Sequence, residues 1–68
     1  MKIKAKTNAI VRARIVKGMT QRDLAQLSGL SYAYISLLER SVKAVGPGTA
    51  KKLSDLLEQP LEELFTIE

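Results

Sequence analysis

The sequence contains no cysteine and no histidine. Disulfides, zinc sites with Cys or His ligands, and catalysis by a thiol or an imidazole are therefore excluded. No loop gathers several carboxylates, so no acid–base pair suggests itself, and the chain reads as no enzyme and as needing no cofactor or metal. No apolar run approaches the roughly 18 residues of a membrane span. MKIKAKTN lacks the apolar segment that follows the lysines of a signal peptide. Strand patterning is scarce too: no segment of four or more residues alternates strictly enough to predict a strand. A cysteine-free chain fits a reducing compartment, and a cytoplasmic location is the expectation.

A chain of 68 residues is one domain. A core of that size hides only about 60% of the unfolded chain's surface. Without disulfides or metals, stability must come from close helix packing or from a partner subunit.

What is present is charge, unevenly placed. Residues 1–43 hold nine basic and two acidic residues, a net of +7, while residues 44–68 hold two basic and five acidic, a net of −3. Such a molecule would turn its first half toward a polyanion and its second half away. Lys2, Lys4 and Lys6 fall in residues 1–7, which read as a basic N-terminal arm.

Punctuation divides the remainder into five short helices. Thr7 or Asn8 can cap the first, which runs to Lys17 and stops at Gly18. Thr20-Gln21-Arg22-Asp23 is close to a capping box and opens the second, which stops at Gly29. Ser31 caps a third helix that ends near Arg40. Gly46-Pro47 opens the fourth and Pro60 the brief fifth. The expected fold class is therefore all-α. Leu24, Ala25, Ile35, Leu38, Leu53, Leu57, Leu61 and Leu64 are the predicted core. A tight turn at Ser28-Gly29-Leu30 between the second and third helices is a helix-turn-helix arrangement, which serves either as a plain structural corner or to place its second helix in the major groove of DNA. At 100° per residue, Ser31, Ile35, Leu38 and Val42 share the inward face of the third helix. Ala33, Ser36, Leu37 and Arg40 lie opposite, with Tyr32 and Tyr34 on the flanks. Either tyrosine could pack on a neighbouring helix instead, Tyr34 the more readily. Arg22, Arg40 and Lys43 are candidate phosphate ligands by charge, and each could equally be a solvated surface residue.

The stretch TQRDLAQLSGLSYAYISLLERS resembles the phage-repressor (Cro and repressor, XRE-type) helix-turn-helix family. Thr20, Gln21, Leu24, Ala25, Gly29, Leu30, Ser31, Ile35, Leu38, Glu39 and Arg40 carry the match. PGTAKKLSDLL and PLEELF are similar to the family's fourth and fifth helices. The resemblance implies a five-helix domain that binds double-stranded operator DNA, usually as a homodimer. It implies base contacts at Tyr32, Ala33, Ser36 and Leu37, and a phosphate contact at Gln21 that also braces the start of the third helix. It also implies an Arg14–Glu39 ion pair linking the first helix to the third. The base-reading positions offer little bidentate hydrogen bonding, so their chemistry suits thymine methyls and hydroxyl bonds from Tyr32 and Ser36. The chain departs from the family at Ser41, where glycine is usual, and in the loop that follows, where only Lys43 is charged.

The apolar end at Leu61, Leu64, Phe65 and Ile67 exceeds what one short helix needs to hide. Part of it, Phe65 or Ile67 especially, is expected at a two-fold interface, the alternative being that Leu61, Leu64 and Phe65 close the monomer core. The function expected is a DNA-binding transcriptional regulator, a repressor by preference. An antitoxin or a restriction–modification controller of the same fold is the near alternative. A protein-interaction module that uses the patch on the third helix for a protein partner is the distant one.

Overall fold

The computed structural model describes residues 1–68. Its elements run β1 (Ile3–Ala5), α1 (Ala9–Val16), α2 (Gln21–Ser28), α3 (Tyr32–Glu39), β2 (Ala44–Val45), α4 (Pro47–Leu57), α5 (Leu61–Leu64) and β3 (Phe65–Ile67). Local chemistry accounts for the starts of α2, α3 and α4, whereas the expected side-chain cap of α1 is absent: Asn8 precedes it in a left-handed conformation without a capping bond. Thr20 and Asp23 close a capping box, with Asp23 N donating to Thr20 Oγ1 at 3.1 Å and Thr20 N to Asp23 Oδ2 at 2.9 Å. Ser31 Oγ accepts from Tyr34 N at 3.0 Å at the start of α3. Pro47 occupies the first turn of α4, where its missing N–H costs nothing.

The four longer helices end in one motif. The chain turns left-handed, and two amides reach back across the last turn. Met19 and Gly18 close α1 on Arg14 O and Ile15 O, and Leu30 and Gly29 close α2 on Ala25 O and Gln26 O. Val42 and Ser41 close α3 on Leu37 O and Leu38 O, and Gln59 and Glu58 close α4 on Ser54 O and Asp55 O. Gly18 and Gly29 take the positive φ without strain (72° and 75°). Ser41 (φ 59°) and Glu58 (φ 55°) take it at a cost of about 1–2 kcal/mol each. Both have a distant partner. Ser41 Oγ donates to Ala5 O of β1 at 2.6 Å, and Glu58 Oε2 accepts from Lys17 Nζ at 2.5 Å.

The protein is not all-α. Its three strands form an antiparallel sheet in the order β2-β1-β3. Ile3 lies opposite Val45 and Ile67, Lys4 opposite Ala44 and Thr66, and Ala5 opposite Phe65. Lys2 and Glu68 exchange backbone bonds of 2.9 and 2.7 Å beyond the paired residues. Residues 1–7 are therefore no free arm: Ile3–Ala5 is the central strand. Lys2-Ile3-Lys4-Ala5-Lys6 does alternate, and the alternation is real, with Ile3 and Ala5 buried and Lys2 and Lys6 exposed.

One core of 14 buried apolar side chains takes members from every helix and strand. Seven of the eight predicted core residues are in it, while Leu61 is only half-buried against it. Two further expectations need correction. Val42 is 63% exposed, because the left-handed turn at Ser41 takes it out of helical phase with Ile35 and Leu38. Phe65 was expected at a two-fold interface, yet it is only 2% exposed. Its pairing with Ala5 carries the ring into the monomer's own core. Ile67, at the sheet edge, stays exposed.

Because β1 is a core strand, Ile3→Ala should cost about 2–5 kcal/mol. Denaturant unfolding will show it, and a variant as stable as wild type would mean that β1 contributes nothing. Glu58 makes a second, pH-dependent contribution. A hydrogen bond from Lys17, then the Lys17 charge, lowers its pKa from the ordinary 4.5, against a smaller desolvation effect. A depressed folded-state pKa gives stability that is present above the unfolded value and is lost as pH falls through the folded one. Unfolding curves should therefore show wild type above Glu58→Gln at neutral pH. The gap should close only below the usual carboxylate range.

Candidate nucleic-acid interface

Glu39 closes the last turn of α3 with a side chain 4% exposed. Arg14, in the last turn of α1, reaches it with two donors: Nε to Oε2 at 2.8 Å and a terminal nitrogen to Oε1 at 3.3 Å. The other terminal nitrogen of Arg14 donates to Met19 O at 3.0 Å, in the turn before α2. Gln21 Nε2, in the first turn of α2, donates to Glu39 Oε1 at 2.7 Å. One carboxylate on α3 thus ties together α1 and α2, and Arg14 links the pair to the turn before α2. The Gln21 brace falls at the end of α3 rather than at its start.

On the outer side, Ser31 caps α3 and its first turn presents Tyr32, 51% exposed, and Ala33, also exposed. Ser36 and Leu37 follow, each half-buried. Arg22, Arg40 and Lys43 are exposed and make no ion pair. The Arg22 guanidinium stands over the Tyr32 ring, 5.7 Å from its centroid. That geometry favours a cation on the aromatic face. It joins the starts of α2 and α3, which sequence spacing did not reveal. Only the turn of the chain at Ser28–Leu30 brings those two residues together. Tyr34 is half-buried against the core, and its hydroxyl lies 3.5 Å from Ala44 O. A groove of about 250 Å³ lies between α1 and α5, lined by Ala9, Arg12, Ala13, Val16, Gln59, Glu63 and Leu64, and includes none of these residues. No helix is long and apolar enough to cross a membrane.

Two helices joined by a three-residue turn, with an outward face of small, aromatic and hydroxyl side chains beside free cations, is the layout of a major-groove reader. The family model described as Helix-turn-helix (HTH_3) matches residues 10–64. The chain belongs to the XRE-type helix-turn-helix family. No curated protein matches the sequence. Solved structures do. The restriction-modification controller protein C.AhdI from Aeromonas hydrophila is 32% identical, with a TM-score of 0.75 over 82% of this chain and 85% of that one. SinR, the master regulator for biofilm formation, solved in complex with DNA, is 25% identical, with a TM-score of 0.74 over 81% and 89%. The restriction-modification controller C.Esp1396I is 36% identical, with a TM-score of 0.68 over 76% and 67%. The XRE-type chain thus has the fold of transcription regulators, with a small sheet added to the helices.

In this XRE-type domain, Glu39→Ala would strand the Arg14 guanidinium, whose side chain is only 13% exposed. Breaking such a pair costs about 3–5 kcal/mol. Thermal unfolding should show a severe loss for Glu39→Ala and much recovery in the apolar double variant Arg14→Met/Glu39→Leu. Equal melting of Glu39→Ala and wild type would show the network to be energetically idle.

Proposed function

We propose that this protein is a sequence-specific DNA-binding transcriptional regulator, a repressor that binds a two-fold operator as a homodimer. The observation that carries the reading is the outward face of α3, held to α1 and α2 through Glu39 and flanked by unpaired cations. The likeness to SinR, solved with DNA, supports the DNA partner. In this reading Tyr32, Ala33, Ser36 and Leu37 meet base edges, through thymine methyls and the hydroxyls of Tyr32 and Ser36. Arg22, Arg40 and Lys43 bind phosphates, and so does Gln21, whose amide can also donate outward. The net charge of +7 on residues 1–43 favours a polyanion, whereas residues 44–68 carry a net of −3.

A homodimer would bring two copies of α3 about one DNA turn apart, roughly 34 Å. Ile67, 56% exposed at the sheet edge, is the interface residue in this proposal. Phe65 supports it from inside the core. Likeness to C.AhdI and C.Esp1396I favours a restriction-modification controller as the second reading within the same class. The antitoxin alternative has no comparable support among these relatives.

A titration of variants against cognate and scrambled duplexes at several salt concentrations tests the DNA reading. Lys43→Gln should weaken binding to all sequences alike and lower the salt slope by about 0.9 for the lost phosphate contact. Leu37→Ala should keep the slope and relax preference at particular base pairs, by up to about 1–3 kcal/mol. Tyr32→Ala should do both, because the ring also carries Arg22. If Leu37→Ala and Tyr32→Ala retain the full preference for cognate DNA, α3 does not read bases. The surface would then belong to a protein partner.

A further inference from the structure

Ile3 and Ala5 point into the core, so the alternation of β1 turns Lys2, Lys4 and Lys6 to the outer face of the sheet, Lys2 and Lys6 exposed and Lys4 half-buried. Successive lysines on that face stand about 6.6–6.8 Å apart along the strand. That is on the order of the spacing between successive phosphates along one DNA strand. None of the three is paired: the ion pairs of the chain are Arg14–Glu39, Lys17–Glu58 and Lys51–Asp55. The cross-strand neighbours of Lys4 are Ala44 and Thr66, which carry no charge. The one acid in the backbone ladder is Glu68, across from Lys2. The face therefore holds three like charges with Glu68 as its one acid, a local excess of positive charge that attracts an anion.

The segment that leaves α3 is joined to the lysine strand. Ser41 Oγ is bonded to Ala5 O, and Ala44 pairs with Lys4. The segment after α3 is thereby stitched to β1. Between Arg40 and Val45 it contains Lys43 and no acid. Adjacent strands lie about 4.8 Å apart. Arg40 and Lys43, both exposed, thus belong to the segment stitched to the lysine strand, and no acid falls between Arg40 and Val45.

We propose that the outer face of the sheet is a second binding surface for the DNA backbone, taking up phosphates beside the stretch that α3 reads. The inference rests on the DNA-binding reading above and extends its footprint beyond the helix-turn-helix. The lysines are fixed to a strand that is already ordered, so only their side chains lose freedom on binding. The contact is independent of sequence, because ammonium groups on phosphates carry no base information.

The test is binding to a mixed-sequence DNA duplex across a range of salt concentrations. It compares wild type, Lys2→Thr/Lys4→Thr/Lys6→Thr, Lys4→Thr and Lys51→Thr, each checked for folding by circular dichroism. Threonine suits a strand. Lys51, on α4 and paired with Asp55, controls for charge loss away from the sheet. The salt slope should fall by about 0.9 in Lys4→Thr and by up to about 2.7 in the triple variant. Lys51→Thr should keep the wild-type slope. A folded Lys4→Thr or triple variant with the wild-type slope overturns the proposal and leaves the helix-turn-helix reading standing. An equal loss in Lys51→Thr overturns it as well. A wild-type protein that binds no DNA at any salt overturns both.

Discussion

The carboxylate of Glu39 is the constraint on which the arrangement of helices depends. It is the one buried charge in the domain. It is met by a two-donor guanidinium from α1 and an amide from α2, and no buried side-chain polar atom is left without a partner. Such a pair adds little net stability over an apolar replacement. Its effect is geometric. A planar guanidinium accepts a carboxylate in few orientations. The rotation of α3 about its own axis is therefore set against α1, and its translation against the first turn of α2. Apolar packing at Ile35 and Leu38 holds α3 in place but tolerates small rotations more readily than a two-point hydrogen bond does.

The sheet performs the complementary task at the ends of the chain. A domain of this size has little apolar surface to hide, and its termini would ordinarily fray. Here the first strand lies between the last strand and the segment that follows α3. Ile3, Val45 and Phe65 thereby join the same core as the helices. The beginning of the chain, its end and the loop beyond α3 are one packed unit.

The helices were largely legible because their signals are local. Thr20 with Asp23, Gly29, Ser31 and Gly46-Pro47 each act within a turn of their own position, and the boundaries follow from them. The resemblance to the repressor family rests on the same local segment. The sheet was not legible, for a different reason. Its strands are two or three residues long, and β2 and β3 show no period. Whether Phe65 is inside or outside depends on β1, at the opposite end of the chain. Lys2–Lys6 did carry a two-residue alternation, but without its partner strands it reads as a basic tail. Val42 was misplaced by extending helical phase through Ser41, the residue that ends it. The stacking of Arg22 on Tyr32 and the hydrogen bond from Gln21 to Glu39 arise only once α2 and α3 have turned against each other.

The four helix endings have a consequence for how the domain assembles. Those of α1 and α2 use glycine and can form in isolation. Those of α3 and α4 place Ser41 and Glu58 in a conformation that an unfolded chain disfavours. Ser41 is compensated by its bond to β1, while Glu58 has only a solvent-exposed pair with Lys17 at the end of α1. α3 therefore cannot terminate at full advantage until the first strand has docked. Local order at that point is conditional on the tertiary fold. The domain gains cooperativity from this: partly folded forms lacking β1 are penalised at the very segment that leaves α3.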